Sequence, residues 1–475
     1  MKINNLTLIN YRRFEHQSFV FNDHFTVLIG DNATGKTQVL QAIVTLLSQY
    51  QSKMLRNAEN DIEIEEKDVY HESLVFNNQN GHHQLRMEYS YPAIISARIN
   101  NSVNVSCRKD DATMANVRDG YLASKAEEDL NHIKEGITLP VLAYYGTSRL
   151  WNKKNKSKEG IPSRTDGYRW SLDGFVDFNE LVSWFMDQEL IQLQKGTNDV
   201  PLTVMRKALS MMIPGCVNVF YDFEFKTLVL EFNDNPETSM SDHSILFDDL
   251  SDGYKMVLTM VFDVVRQMVI SNPHLGDDVL EKTDGIILID ELDLSLHPKW
   301  QRIVVESLKK TFPLVQFIVS THSPFIVQSL NSGEVIDLEA CDGDVLLEDA
   351  MIRDVIISTE FGKNIPSKNI MNLPAQGIAW PGTKGIYEKK SLEDVTEDVM
   401  GVEIPQRSAR MQKMNDVAEQ YYTKLQELKG ASSEDLDRLE SELDELSAPF
   451  SDDIAYHAFL RMERLAALAD REEGK

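Results

Sequence analysis

Residues 18–50 read SFVFNDHFTVLI-GDNATGKT-QVLQAIVTLLSQY, and this stretch decides the fold. Apolar residues lead up to Ile29 as in a buried strand, and apolar residues recur at helical spacing from Val39 to Leu47. Between strand and helix, residues 30–37 match the phosphate-binding pattern GxxxxGK[ST]. Such a turn binds phosphate because backbone N–H groups curl around its oxygens and the helix N-terminus adds a positive dipole end.

The residues of this turn predict an ATP site with Mg²⁺. Lys36 is expected to reach the β and γ phosphates, and the Thr37 hydroxyl is expected to hold the metal ion. The remaining nucleotide-binding candidates of the turn are Gly30, Asn32, Thr34, Gly35 and Gln38. A chance match in an ordinary glycine turn is the alternative, and it leaves the flanking strand and helix unexplained.

A second apolar strand, residues 286–291, ends in two carboxylates, Asp290 and Glu291. Buried strands carry acids at their ends, where water or a ligand solvates them. Asp290 suits a place beside Mg²⁺, and Glu291 suits the base that orients the attacking water. Two solvated acids without a catalytic role are the alternative.

Two further short patterns stand around this acidic strand. Ser251, Gly253 and Lys255 begin a long apolar helix, whose free N–H groups suit a γ-phosphate, although Ser-Asp-Gly is also an ordinary helix cap. His322 lies in Ser320-Thr321-His322-Ser323-Pro324 after the next strand, where it is placed to bond the γ-phosphate or the attacking water. A lone histidine is otherwise more often structural.

These four elements, in this order, resemble the ABC ATPase superfamily. Residues 8–14, LINYRRF, resemble the opening of its RecF, Rad50 and SMC branch, which implies that Arg12 approaches the nucleotide. Residues 290–301, DELDLSLHPKWQ, resemble the OLD-like defence ATPases. The resemblance covers about residues 1–50 and 139–335. It implies a homodimer in which each Ser251–Lys255 signature faces the partner's phosphate loop.

The sequence departs from this superfamily's pattern at several places. We place no Gln loop, although residues 145–149 occupy a comparable position, and no long coiled coil interrupts the chain. Asp342-Gly343-Asp344 lacks the surroundings of a Toprim nuclease, and His82-His83 lacks those of an HNH nuclease. An intrinsic nuclease is therefore not expected.

The tail from Asp398 to Arg407 and the helices after it instead resemble the PtuA-like ATPases of Septu and retron-linked anti-phage defence. That resemblance implies a separate PtuB-like HNH nuclease as the regulated effector. It also leaves the reverse transcriptase and non-coding RNA of a retron as partners. A RecF-like DNA-binding repair ATPase and an OLD-like ATP-dependent nuclease remain the alternatives.

The predicted fold class is α/β: a mostly parallel sheet with flanking helices, an antiparallel β lobe and a helical C-terminal region. The ATPase head would span 1–335, with insertions at about 51–138 and 150–245. A hairpin turning on Asp342-Gly343 and an acidic helical region for effector docking or oligomerisation would fill 336–475. The apolar residues expected to build these helices are Leu436, Leu439, Leu443, Leu446, Phe459, Leu460, Met462, Leu465 and Leu468.

The charge distribution bounds the partners. The net charge of −27 argues against extensive nucleic-acid contact, which requires Lys and Arg. Residues 149–169 nevertheless hold seven basic residues against two acidic ones, which leaves open a DNA-contacting loop or a solvated loop. Three scattered cysteines and the lack of an apolar run of about 20 residues favour the cytoplasm without membrane contact.

Overall fold

The computed structural model describes residues 1–77, 83–147, 163–196, 200–233, 243–331, 333–339 and 378–379, and parts of 417–464. The chain forms two compact units, Met1–Leu392 and Glu393–Lys475. The strands of the described residues are β1 Ile3–Tyr11, β2 Phe14–Val20, β3 Phe25–Ile29, β4 His71–Asn77, β5 His83–Tyr89, β6 Ala93–Ile99, β7 Val103–Lys109, β8 Val117–Arg118, β9 Val141–Tyr145, β10 Cys216–Asp222, β11 Thr227–Phe232, β12 His243–Leu246, β13 Gly285–Ile289, β14 Val315–Ser320, β15 Val335–Asp337 and β16 Ile378–Ala379.

The α-helices described are α1 Lys36–Leu55, α2 Tyr121–His132, α3 Phe178–Lys195, α4 Val200–Met212, α5 Asp252–Ser271, α6 Val279–Lys282, α7 Pro298–Gln301, α8 Val304–Thr311, α9 Pro324–Gln328 and α10 Leu436–Ser447. The helix predicted after the phosphate loop and the long apolar helix predicted near 254 are α1 and α5. After β13 the chain forms two short helices, because α7 ends at Gln301 and α8 begins at Val304.

A parallel five-stranded sheet forms the centre of the first unit, in the order β15-β3-β14-β13-β9. Every residue of β3, β13 and β9 is buried, as expected for parallel strands covered on both faces. Ile289 pairs with both Val319 and Tyr145, so these strands end side by side. Their carboxyl ends, where ligands of such sheets bind, therefore meet at one edge.

A second sheet, in the order β16-β2-β1-β6-β7-β8, is antiparallel except for the parallel pair of β16 with β2. Leu6 and Leu8 of β1 belong to the same buried core as Leu40 and Ile43 of α1 and Ile318 of β14. Helix α1 is thus fixed by apolar residues from both sheets, which holds the phosphate loop at its N-terminus. The mixed α/β architecture predicted from the sequence is confirmed.

Smaller elements complete the first unit. Strands β10, β11 and β12 form a separate antiparallel sheet. Strands β4 and β5 pair antiparallel, and residues 78–82 between them lie outside the described part. The turn of the predicted hairpin, at Asp342-Gly343, also lies outside the described residues. Its first arm, β15, pairs in parallel with β3 in the central sheet.

In the second unit, α10 spans the predicted leucine repeat. Leu439 and Leu443 are buried, as is Leu460, whereas the side chain of Met462 is 68% exposed. Lys424 and Arg438 both pair with Glu442. The boundary at 335 and the docking role of the C-terminal region stay predictions.

Two observations concern the predicted cellular setting. Among the described helices, none has the length and apolar character required to cross a bilayer. Cys107 and Cys216 are both buried free thiols. Burial raises the pKa of each thiol to about 11, so neither is a reactive thiolate near neutral pH.

Candidate nucleotide-binding site

The phosphate loop between β3 and α1 is shaped by Gly35. Its φ of 100° lies in the left-handed region, and a Cβ there would lie 2.6 Å from Phe14 Cζ and 2.8 Å from Arg13 Cδ. Only glycine therefore fits beside β2 without displacing the side chains that press on the loop. The hydroxyl of Thr34 turns back to the carbonyl of Asp31 at 2.9 Å, which closes the turn.

Lys36 begins α1 with its side chain folded over the loop. The residue is 7% exposed, and its Nζ donates to the carbonyls of Gly30 at 2.6 Å and Asp31 at 2.8 Å. Burial lowers the pKa of the ammonium, and the nearby carboxylates of Asp290 and Glu339 oppose that shift. A phosphate group would supply the compensating charge that this half-desolvated ammonium has only in part.

Asp290 is bound from both sides at the end of β13. Its Oδ2 accepts from Thr37 Oγ1 at 2.8 Å, and its Oδ1 accepts from Ser320 Oγ at 2.6 Å. Asp290 is 3% exposed and directly follows Ile289, the last residue of a strand paired with β14, so the sheet register sets its position. A buried carboxylate beside a hydroxyl supplies two hard oxygen donors of the kind that Mg²⁺ prefers.

A cavity of about 260 Å³ opens over this pair. Its lining residues are Asn32, Ala33, Gly35, Lys36, Thr37, Gln38, Asp290, Glu291, Ser320 and His322. The structure thus brings together the phosphate loop, the acidic strand end and the histidine, which lie up to 290 positions apart in the sequence. One cavity with room for phosphate groups is therefore lined by the candidate base, the candidate histidine, the lysine and the candidate metal ligands.

Glu291 and its loop adopt an uncommon backbone conformation. Glu291 has a φ of 50°, and its N–H donates to Ser320 Oγ at 2.8 Å. A left-handed residue other than glycine or asparagine is rare and clusters at functional sites. The turn directs the chain away from the sheet immediately after Asp290, so Glu291 reaches the cavity instead of extending the strand.

The two arginines before β2 have different roles. Arg12, predicted to approach the nucleotide, is held by Asp68 at 2.8 Å and by Gln41. Arg13 instead donates to the carbonyl of Ala33 in the phosphate loop. Both line an open cleft of about 820 Å³ that adjoins the loop at Ala33 and Gln38, with Lys67, Asp68, Tyr70 and His71.

The signature residues lie away from this cavity. Ser251 caps α5, Lys255 Nζ donates to the carbonyl of Asp248 at 2.8 Å, and a Cβ on Gly253 would come within 2.3 Å of the Ser295 carbonyl oxygen. All three belong to the described residues, and none of them lines the cavity over Lys36. Within one chain, these three signature residues therefore do not share the lining of the cavity with the phosphate loop.

The segment in the place of a Gln loop begins at Tyr145, the last residue of β9, which contacts both Asp290 and α5. Tyr145 accepts from Asp290 N through its carbonyl at 2.8 Å and donates from its hydroxyl to Asp263 at 2.9 Å. Residues 148–162, most of the basic loop, lie outside the described part of the chain. Arg164 donates to the carbonyls of Ser271, Ile133 and Ile137, so this basic residue serves the fold.

Two family models match parts of this chain. A family model described as an AAA ATPase domain matches residues 1–171. A second model, described as an AAA domain, putative AbiEii toxin, Type IV TA system, matches residues 239–328. The first covers the phosphate loop and the second covers the signature, Asp290, Glu291 and His322.

The individual relatives carry more specific names than the two family models. The retron Vc95 probable ATPase of Vibrio cholerae serotype O1 biovar El Tor is 26% identical over 70% of this chain and 73% of its own length. The Septu protein PtuA of Bacillus thuringiensis is 22% identical over 81% of this chain and 80% of its own. The chain is thus similar to retron ATPases and to the Septu protein PtuA. It is also similar to the SMC head domain from Thermotoga maritima, with a TM-score of 0.33 and 13% identity over 71% of this chain and 94% of that one.

Two residues of this candidate site were not assigned from the sequence. Arg13 contacts the phosphate loop, whereas only its neighbour Arg12 was singled out. Ser320 bonds both Asp290 and the N–H of Glu291, yet it appeared only as the first letter of a motif. The signal for Ser320 was a polar residue at the last position of a strand, directly after the apolar run Phe317–Val319.

Proposed function

We propose that this chain binds and hydrolyses ATP with Mg²⁺, and that two copies pair head to tail to complete each site. The bond between Thr37 Oγ1 and Asp290 Oδ2 at 2.8 Å is the observation that carries the proposal. It links the phosphate loop to the acidic strand end, and these two oxygens are the ligand types that a nucleotide-bound Mg²⁺ requires. The metal would neutralise charge on the β and γ phosphates.

Each remaining residue has a role that follows from its place. Lys36 would leave the carbonyls of Gly30 and Asp31 and pair with the β and γ phosphates. Glu291 would accept a hydrogen bond from the attacking water and orient it toward the γ-phosphate. His322, across the same cavity, would donate to a γ-phosphate oxygen. The phosphate loop residues Asn32, Thr34, Gly35 and Gln38 would surround the phosphate chain.

The nucleoside end would lie in the cleft that adjoins Ala33 and Gln38. Tyr70 and His71 offer ring surfaces there, and Arg12, Arg13 and Lys67 offer positive charge. In this arrangement Arg12 serves the nucleotide from the nucleoside end. Its bonds to Asp68 and Gln41 would hold it in place before binding.

The place of the signature supports the proposed pairing of two chains. Ser251, Gly253 and Lys255 form the N-terminus of a 20-residue helix but do not line the cavity of their own chain. A helix N-terminus is suited to a phosphate, and its nearest free phosphate would be on a second copy. A closed two-fold dimer would place each signature on the partner's γ-phosphate.

Mixing two inactive variants tests the pairing. Lys36→Ala removes a phosphate loop and leaves its signature intact, whereas Ser251→Arg does the reverse. Random mixing should give half mixed dimers, each with one intact site, and therefore about a quarter of the parental ATPase rate. The control is each variant alone at the same total concentration. A mixture no faster than the two variants alone would contradict a composite site.

The downstream role is proposed from the relatives' names, which come from retron and Septu systems. We propose that the nucleotide state of the dimer regulates a separate cytoplasmic effector, an HNH nuclease of the PtuB kind, in anti-phage defence. A reverse transcriptase with its non-coding RNA, and DNA, are further candidate partners. The reading frames beside this gene would test the assignment, because a small HNH protein or a reverse transcriptase is expected there.

The acidic C-terminal region is the proposed docking surface for that effector. Residues 434–475 carry thirteen acidic and five basic residues, so a basic nuclease would be attracted in a salt-dependent way. Deleting 434–475 should leave ATP binding intact and abolish co-purification of the effector. Met462→Glu is the milder test, because this side chain is 68% exposed and its change leaves the buried Leu443 in place. Retention of the effector by both variants would move the docking surface to the first unit.

A further inference from the structure

The side-chain amide of Gln301 joins the loop after β13 to the loop after β14. Its Nε2 donates to the carbonyl of Leu296 at 2.9 Å, and its Oε1 accepts from Ser323 Oγ at 2.7 Å. An amide is able to make both bonds because it carries a donor and an acceptor on one planar group. One side chain therefore holds the segment that follows Glu291 to the residue that follows His322.

A second bridge runs beside the first. Asp293 Oδ1 accepts from Thr321 Oγ1 and from the N–H of His322, the latter at 3.2 Å. The carbonyl of Asp293 in turn accepts from Leu296 N at 3.0 Å, which closes a turn in front of Gln301. The loops that carry the two proposed catalytic side chains are thus connected by side chains and not only by the sheet.

The loop needs such support because its backbone is unfavourable. Glu291 has a φ of 50° and Ser295 has a φ of 60°, both in the left-handed region. Such residues persist only where the surrounding contacts fix them. Gln301 binds the carbonyl of Leu296, immediately after the second of these residues, so the loss of its amide would release the loop.

The same loop forms a wall of the signature. A Cβ on Gly253 would meet the Ser295 carbonyl oxygen at 2.3 Å, and the ring of Tyr254 lies 4.4 Å from that of Trp300, beside Gln301. Residues of the 295–301 segment therefore pack against the start of α5. Gln301 lies where the proposed hydrolysis residues and the proposed partner-facing signature of one chain meet.

We propose that Gln301 is a positioning residue for ATP hydrolysis. It holds residues 291–296 against Ser323 and thereby sets the placement of Glu291 relative to His322 around the γ-phosphate. This inference rests on the proposed ATPase function. Gln301 touches neither the phosphate loop nor Lys36 in the contacts that carry the inference, so its effect belongs to the chemical step and not to nucleotide binding.

The test measures ATP hydrolysis and ATP affinity of Gln301→Met, which keeps the length of the side chain and removes both bonds. We expect kcat to fall about ten- to hundredfold, as for a misplacement of about 1 Å at a reacting group, with ATP Kd unchanged within about twofold. Gln301→Glu keeps the acceptor but not the donor, and its kcat should fall by a similar factor. Gln194→Met, the same change at an exposed position of α3, is the matched control and should behave as the parent.

A double-variant experiment separates positioning from general stability. In chains that already carry Glu291→Gln, Gln301→Met should slow single-turnover hydrolysis by less than about twofold, because both act through the same step. An equal loss in both backgrounds would overturn the proposal, as would a loss of ATP affinity or of the folded state in both Gln301 variants. The ATPase function itself fails on a separate result, parental hydrolysis by Glu291→Gln alone.

Discussion

Glu291→Gln should lower the rate of ATP hydrolysis by about 10²–10³-fold while ATP affinity stays near the parental value. The amide keeps the size of the carboxylate but accepts no proton from the attacking water. The backbone should be unaffected, because the bond of Glu291 N to Ser320 Oγ does not involve the side chain. Phosphate release measures the rate, and calorimetry with ATP and Mg²⁺ measures the affinity.

The matched control for this variant is Glu306→Gln, the same substitution at an exposed position of α8. It should hydrolyse ATP at the parental rate. If Glu291→Gln did so as well, the base would lie elsewhere, and Asp293 would be the next carboxylate to test because it contacts the His322 backbone.

The Glu291→Gln variant also tests whether two copies of the chain pair when ATP is bound. If the signature of one chain binds the γ-phosphate held by the other, chains that retain ATP should remain paired. Glu291→Gln with ATP is therefore expected to elute as a dimer under conditions in which the parent, after hydrolysis, is monomeric. The same variant thus reports on the base and on the nucleotide dependence of pairing.

Local sequence signals predicted the parts of this site that depend on one strand and the turn after it. The apolar runs before Gly30 and Asp290 gave β3 and β13, and the phosphate loop followed from its own eight residues. Central parallel strands are strongly predicted because burial on both faces makes them continuously apolar. The helix-forming leucines of α10 were likewise visible from their spacing.

Contacts between distant segments were not predictable in the same way. Arg13, and not Arg12, bonds the phosphate loop. This depends on the positive φ of Arg12, which turns the chain before β2. Val335–Asp337 joins the central sheet beside β3. The sequence did not predict this pairing, because three apolar or acidic residues also suit one arm of a hairpin. Gln301 and Ser323 are 22 positions apart, and only the fold brings their side chains together.

Lys36→Ala should weaken ATP binding by about 10–100-fold or more, because a charge-assisted contact to phosphate contributes about 1.5–3 kcal/mol. Lys36 is 7% exposed as a residue, and burial lowers the pKa of its ammonium, so that group is already partly desolvated before the nucleotide arrives. Part of the desolvation free energy of this ammonium is therefore already included in the free energy of folding. The phosphates then bind a positive charge that is already in position. Calorimetry with ATP and Mg²⁺ measures the affinity directly.

Lys53→Ala is the matched control, since Lys53 lies on the same helix, α1, at the end away from the phosphate loop. Its side chain is 48% exposed and pairs with Glu127 on the surface, a contact of at most about 1 kcal/mol for stability. ATP affinity should therefore stay at the parental value in this variant. Equal affinity in Lys36→Ala, Lys53→Ala and the parent would show that the ammonium over the loop does not bind phosphate, and the nucleotide would have to be sought outside the cavity over Asp290.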